Sequence, residues 1–150
     1  MAIDIGLIKN LRNETSALIA DCRNALEESK GDYNKAIVWL NKHGIEKAEK
    51  KADRNTSEGL IESYIHQNAK VGALVEALCE TDFVARTSEF KTLVHEIAMQ
   101  VASMDPKDVD SLLKQAYIRD SSKTIEQLVK EAIAKLGENI VVKRFKRFQI

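Results

Sequence analysis

The sequence has few of the residues from which most catalytic and metal sites are built. It contains 2 Cys, 1 Pro, 6 Gly and 3 His, and aromatic residues make up 5% of the chain. Cys22 and Cys79 are far apart and lack metal-ligand spacing, so we expect two buried thiols in a reducing compartment, without a disulfide. His43, His66 and His95 are isolated, which argues against a zinc site. The dispersed glycines exclude a phosphate-cradling loop.

The chain also lacks an excess of charge of either sign. Lys and Arg together number 23, and so do Asp and Glu. A dedicated nucleic-acid-binding protein needs a basic surplus to offset phosphate, so we expect no specific nucleic acid as a partner. The sequence has no apolar run of membrane-spanning length and no recognisable signal peptide, so we expect a cytoplasmic protein without membrane association.

No group of residues has the pattern of a catalytic centre. Glu80 and Asp82 could form a carboxylate pair, but nothing in the sequence builds a pocket around them. Cys79 precedes an acid, whereas an activated thiolate needs positive neighbours. We therefore expect a protein that is not an enzyme and binds neither a cofactor nor a metal.

The first third of the chain has the apolar spacing of a small helical bundle. Asp4 and Asp32 are placed to cap helices, and Gly44 is expected to end the third helix. Residues 45–54 are rich in Glu, Lys and Ala, which predicts a solvated helical connector. Together these features predict a first domain, at residues 1–54, of three helices and a connector.

Two stretches with period-two alternation predict a β-hairpin at residues 59–66 and 71–80. In the second stretch the alternate residues from Val71 to Cys79 share one face, and Leu74 and Leu78 share the other. Since both faces are apolar, we expect this strand to be covered on both sides.

Three amphipathic helices are predicted after the hairpin, beginning near Thr87, at Asp105–Pro106 and at Thr124, where Gln127 completes a capping box. An apolar tail, residues 139–150, predicts a charged edge strand. We expect residues 55–150 to form an α+β core in which a small antiparallel sheet packs with three helices.

The junction between the second strand and the following helix joins an acid to a large aromatic side chain. Either Phe83 closes the core and Asp82 caps a helix, or both side chains project to meet a partner. The residues by themselves leave both interpretations open.

Five segments resemble the translation elongation factor Ts family, in that family's order: residues 7–15, 21–26, 47–52, 79–86 and 136–140. The resemblance implies a guanine-nucleotide exchange factor for elongation factor Tu. It also implies a ubiquitin-associated-like (UBA-like) fold for the three-helix module.

The resemblance carries a partner-binding role over to eight residues: Thr81, Asp82, Phe83, Val84, Leu136, Gly137, Arg12 and Ile19. Phe83 would wedge between helices of the partner's GTPase domain. Asp82 would help shift the elements that hold Mg²⁺ and the β-phosphate. Leu136 and Gly137 would contact the phosphate-loop side, and Arg12 and Ile19 would dock the first module.

The chain departs from long members of the family, which have a second core half and a coiled-coil insertion. Short members compensate by pairing two copies through their sheets, so we expect a homodimer to which Phe145, Phe148 and Ile150 contribute. Two rival functions stay open: a binding module for ubiquitin-like or nascent-chain partners, and a ribosome-associated RNA binder that uses the basic tail.

Overall fold

The structure is a computed structural model that describes residues 2–150. Within this range the helices are α1 (Ile5–Thr15), α2 (Ile19–Glu28), α3 (Tyr33–Lys50), α4 (Asp82–Ala85), α5 (Ser88–Met104), α6 (Val109–Lys114) and α7 (Ile125–Leu136). The strands are β1 (Glu58–Ile65), β2 (Val71–Cys79), β3 (Ala116–Tyr117), β4 (Asp120–Thr124) and β5 (Val141–Gln149). The predicted α+β class is confirmed.

Helices α1 to α3 form a bundle around their own apolar cluster: Leu11, Cys22, Ala25, Leu26, Ala36 and Leu40. The predicted caps are present, because Asp4 accepts a hydrogen bond from the Gly6 N–H at 2.9 Å. Asp32 likewise accepts from the Lys35 N–H at 3.1 Å. These bonds satisfy backbone donors that a helix leaves free at its first turn. The predicted three-helix unit is confirmed.

The third helix does not end at Gly44, as the sequence predicts, but continues to Lys50. A Cβ atom at Gly44 would lie 3.2 Å from the Cβ of Ala134 in α7. The glycine therefore permits a close approach between α3 and α7 and does not stop the helix. Ala48, one turn further on, belongs to the second apolar core. The predicted connector is thus the last part of α3 and packs on the core.

The core contains a three-stranded antiparallel sheet in the order β1-β2-β5. The predicted hairpin and tail strand are both confirmed. The register between β2 and β5 shifts between Glu76 and Ala77, which marks a bulge. Phe145 packs against the core, whereas Phe148 is 67% exposed, so the two phenylalanines lie on opposite faces of the sheet.

The two faces of the sheet have different environments. The inner face, with Val75, Ala77 and Cys79 fully buried, packs against α5. The outer face, which we define by Ile61, Ile65, Leu74 and Phe148, is 49–67% exposed at these side chains. The expectation that both faces of β2 are covered is therefore wrong for the single chain.

The segment between α5 and α7 differs from the predicted helix at Asp105–Pro106. Asp105 adopts a left-handed conformation with φ 45° and ends α5. The next helix, α6, begins only at Val109, because Asp108 caps it by accepting from the Ser111 N–H at 2.7 Å. It ends at Lys114, and an unpredicted hairpin of β3 and β4 follows.

Gln100 explains why that hairpin packs here. Its side chain is fully buried on α5 and donates to the Ala116 carbonyl at 3.1 Å. It also accepts from the Ile118 N–H at 3.0 Å. A buried amide needs such partners, and the hairpin backbone supplies them.

Helix α7 begins and ends as the sequence predicts. Thr124 and Gln127 form a reciprocal capping box, and Gly137 ends the helix with φ 79°. The turn that follows brings Glu138 and Asn139 against the end of β2.

Candidate functional site

Phe83 is the most exposed aromatic side chain of the core, with 88% of its surface accessible. It lies on α4, a single helical turn directly after β2. On the other side of this turn Ala85 is buried and Val84 packs against the core. The turn is therefore anchored through Val84 and Ala85 and presents Phe83 to solvent. The interpretation in which Phe83 closes the core is wrong.

Asp82 is also exposed, and it does not cap a helix. Thr81 caps α4 by accepting from the Val84 N–H at 3.3 Å. Thr87 caps α5 by accepting from the Phe90 N–H at 3.2 Å. Asp82 instead forms an exposed ion pair with Arg86, at 2.5 Å. Exposed pairs of this kind contribute little to stability, so the carboxylate is free to exchange partners.

The turn after α7 is tied to this segment by two glutamates. Glu138 Oε1 accepts from the N–H groups of Glu80, at 3.1 Å, and Thr81, at 2.9 Å. Its Oε2 accepts from the Thr81 hydroxyl at 2.7 Å. In return, Glu80 accepts from the Asn139 N–H at 2.8 Å. We call these four contacts the Glu80–Glu138 clamp.

Leu136 and Gly137 immediately precede Glu138, whose side chain reaches Thr81. Leu136 packs on the core, and Gly137 is exposed. A Cβ atom at Gly137 would meet no atom within 4 Å, so its backbone is open to approach. The structure thus brings together six of the eight predicted residues, from Thr81 to Val84 and at Leu136 and Gly137.

Arg12 and Ile19 lie on the first module, which has its own apolar core. Arg12 is exposed in the last turn of α1, and Ile19 is 56% exposed at the start of α2. Leu18, to which the resemblance assigns no role, is 63% exposed beside it. The predicted residues therefore form two surfaces, one on each part of the chain.

A groove of about 660 Å³ runs between the first module and α5 and α7. Of the predicted site residues only Leu136 lines it, and its walls carry acids and lysines of both parts of the chain. Phe83 lies outside this groove. The predicted site is therefore an exposed surface and not a cavity.

The Cys79 thiol lies next to the exposed turn and is not activated. Burial raises the pKa of the Cys79 thiol, which donates to the Thr81 carbonyl at 3.2 Å. A protonated, buried thiol is a poor nucleophile.

Over residues 2–150, no three His, Cys, Asp or Glu side chains are grouped to hold a metal ion. In the same range, no helix has both the length and the apolar character needed to cross a bilayer.

The basic residues of the tail are engaged within the fold. Arg144 pairs with Glu76 on the neighbouring strand. Arg147 is half-buried, donates to the Ala102 carbonyl at 3.0 Å and lies 3.7 Å from Asp105. These contacts agree with the predicted charged edge strand and leave less free positive charge for RNA than the sequence suggests.

Comparison with known proteins identifies relatives along the whole chain. The sequence model of the family described as Elongation factor TS matches residues 80–150. An elongation factor Ts of Coprothermobacter proteolyticus is 44% identical in an alignment of 195 residues. The alignment covers 100% of this chain and 99% of the relative. One from Methylacidiphilum infernorum is 41% identical over 192 residues, covering 99% and 96%.

An elongation factor Ts of a Nostoc species is 49% identical over 148 residues, and here the chain spans 47% of the relative. Relatives of both lengths therefore contain the first module and the core. Since the first module, the exposed turn at Phe83 and the clamp all lie within the matched region, the chain belongs to the elongation factor Ts family of translation elongation factors.

Proposed function

We propose that this protein is a guanine-nucleotide exchange factor, which binds elongation factor Tu in its GDP form and promotes GDP release. The observation that carries the proposal is the 88% exposure of Phe83 on an anchored turn. An exposed aromatic side chain that is held in place can enter a partner's pocket with little loss of conformational freedom. The proposed role needs no side-chain catalysis and no cofactor.

The proposed mechanism is a thermodynamic coupling between two binding events. An exchange factor that binds the nucleotide-free partner more tightly than the GDP-bound one weakens GDP binding by the same factor. Phe83 supplies the wedge between helices of the GTPase domain. Asp82 brings a negative charge toward the elements that hold Mg²⁺ and the β-phosphate, where loss of the cation weakens GDP.

The two-surface arrangement supports a two-part docking. Leu136 and Gly137 would contact the phosphate-loop side, next to Phe83. Arg12 and Ile19 would dock the first module, a UBA-like unit within a domain at residues 1–54, while residues 55–150 act as the exchange domain. Translation takes place in the cytoplasm, where we place the protein.

The proposal is tested by the release of a fluorescent GDP from elongation factor Tu. The chain is expected to accelerate release strongly, and Asp82→Ala is expected to lower that acceleration about tenfold, the scale of one charged contact at an interface. Asp110→Ala, which removes an exposed acid from α6, is the matched control and should leave the rate unchanged. No acceleration by the folded wild-type chain would contradict the proposal and favour a binding module.

We further propose that two copies pair through the outer face of the sheet. Ile61, Ile65, Leu74 and Phe148 form an apolar surface that the single chain leaves open. Leu74 lies on the central strand, opposite Ser63 on one side and Lys146 on the other. Pairing would bury this face, as the two sheets of a sandwich do.

Leu74→Arg is expected to dissociate such a dimer, because pairing would bury an unpartnered charge at its centre. The dissociation constant should rise at least about tenfold, as measured by sedimentation velocity. Val38→Arg, which changes a 67% exposed side chain on α3, is the control and should remain dimeric. A wild-type chain that stays monomeric at micromolar concentration would contradict the dimer.

A further inference from the structure

We propose that Glu138 is a positioning residue, which holds the segment from Glu80 to Phe83 in the conformation that the partner recognises. This inference rests on the proposed exchange function and extends it to a side chain that does not itself need to touch the partner. Glu138 follows Gly137 in the turn after α7, on a different part of the chain from Phe83.

The need for such a residue follows from the length of α4. A helix of four residues forms almost no internal hydrogen bonds and is unstable on its own. Its preceding residues, Glu80 and Thr81, have left the ladder of β2, which ends at Cys79. Their two N–H groups are bound by one carboxylate oxygen of Glu138. The glutamate thus replaces the strand partner that these two residues lack.

The second oxygen of Glu138 sets the cap of α4. It accepts from the Thr81 hydroxyl, whose oxygen in turn accepts from the Val84 N–H. The Thr81 hydroxyl proton therefore points toward Glu138, and a lone pair of the hydroxyl oxygen points toward the Val84 N–H of α4. Hydrogen bonds to a carboxylate are stronger than those between neutral groups, so this arrangement fixes both the turn and its cap.

The turn that carries Glu138 also binds the end of the connector. Asn139, which is 3% exposed, donates from its side-chain amide to the carbonyls of Ala52, at 3.2 Å, and Arg54, at 3.0 Å. Its own N–H is bound by Glu80. The turn at Glu138 and Asn139 therefore holds the end of the connector and the start of α4 in one arrangement.

A loosened clamp leaves the recognised conformation only partly populated. When the competent fraction of a protein falls, its apparent dissociation constant rises by the reciprocal of that fraction, while the saturated complex is unchanged. Loss of Glu138 should therefore raise the concentration needed for half-maximal exchange and leave the saturating rate nearly intact. Loss of Phe83, by contrast, removes the wedge itself.

The experiment measures release of fluorescent GDP from elongation factor Tu across a concentration series of wild type, Glu138→Ala, Glu138→Gln and Glu126→Ala. For Glu138→Ala the half-maximal concentration should rise at least about tenfold, with the saturating rate within about twofold of wild type. Glu138→Gln keeps one acceptor for the two N–H groups but loses the acceptor for the Thr81 hydroxyl, so its half-maximal concentration should lie between those of wild type and Glu138→Ala. Glu126→Ala, on the exposed side of α7, should behave as wild type.

Amide hydrogen exchange on the free proteins supplies a readout independent of activity. Glu138→Ala should lose protection at Glu80 and Thr81 while α5 stays protected, which separates local loosening from unfolding. An unchanged half-maximal concentration for Glu138→Ala, with wild type active, overturns the positioning role alone. A half-maximal concentration for Glu138→Gln as high as that for Glu138→Ala also overturns it. A wild-type chain that does not accelerate release overturns the proposed function instead.

Discussion

Phe83→Ala is expected to abolish most of the exchange activity while leaving the fold intact. A central aromatic anchor at an interface contributes about 2–4 kcal/mol, equivalent to a loss of about 30- to 1,000-fold in kcat/KM. The side chain is 88% exposed in the free protein, so its removal should change the free energy of unfolding by less than about 0.5 kcal/mol. GDP-release kinetics and urea denaturation measure the two quantities on the same preparation.

The control for this variant removes another exposed apolar side chain. Ile118→Ala, in the turn of the β3–β4 hairpin where Ile118 is 42% exposed, should retain full activity. Phe83→Leu keeps apolar volume without the ring and should be intermediate. Full activity of Phe83→Ala would contradict the proposed role of Phe83 as a wedge in the partner, even if the wild-type chain is an exchange factor.

Phe90→Ala is expected to have the opposite effect, a large loss of stability. Phe90 is fully buried in the first turn of α5, seven residues after the exposed phenylalanine. Truncation of a buried phenylalanine leaves a cavity and lowers the free energy of unfolding by about 3–5 kcal/mol. Since a domain is stable by only about 5–15 kcal/mol, this is a major fraction. The midpoint of urea denaturation should fall accordingly.

The two variants together separate recognition from folding. Phe90→Ala should retain activity per folded molecule, because its side chain does not reach the surface. A loss of activity in Phe90→Ala at a temperature where it is fully folded would mean that the packing of α5 contributes directly to recognition. A Phe90→Ala variant as stable as wild type would contradict the position of Phe90 in the core.

The parts of the fold that sequence reasoning predicted correctly are those fixed by local signals. The alternation from Val71 to Cys79 reflects one buried face of β2, and the structure buries that face. The caps at Asp32 and Thr124 depend on side-chain bonds that span only three residues. Such caps can be recognised in the amino-acid sequence because both hydrogen-bond partners lie within one helical turn.

The errors arose where distant parts of the chain decide the local structure. Glycine often ends a helix, which is why the sequence predicts a helix end at Gly44. Here its small size instead permits the close contact with Ala134. The β3–β4 hairpin depends on Gln100, whose partners lie 16 to 18 residues away. The cover expected on the outer face of β2 is absent from the single chain, where Ile61, Ile65, Leu74 and Phe148 stay exposed.

The site was predicted in part. From the residues alone, Phe83 and Asp82 allowed either a structural or a recognition role, and the exposure in the structure excludes the structural role for Phe83. Glu138 was missed as a site residue although it lies in a segment that resembles the family. Its partners are 57 and 58 residues away, and no periodicity in the sequence indicates such a contact.

Isothermal titration of this chain against elongation factor Tu, without nucleotide and with GDP, tests the proposed exchange mechanism most directly. The proposed coupling requires tighter binding to the nucleotide-free form, by the same factor by which the chain weakens GDP binding. The difference should shrink markedly in Phe83→Ala. Equal affinity for the two forms would contradict the exchange function, because a protein that binds both equally well cannot shift the nucleotide equilibrium.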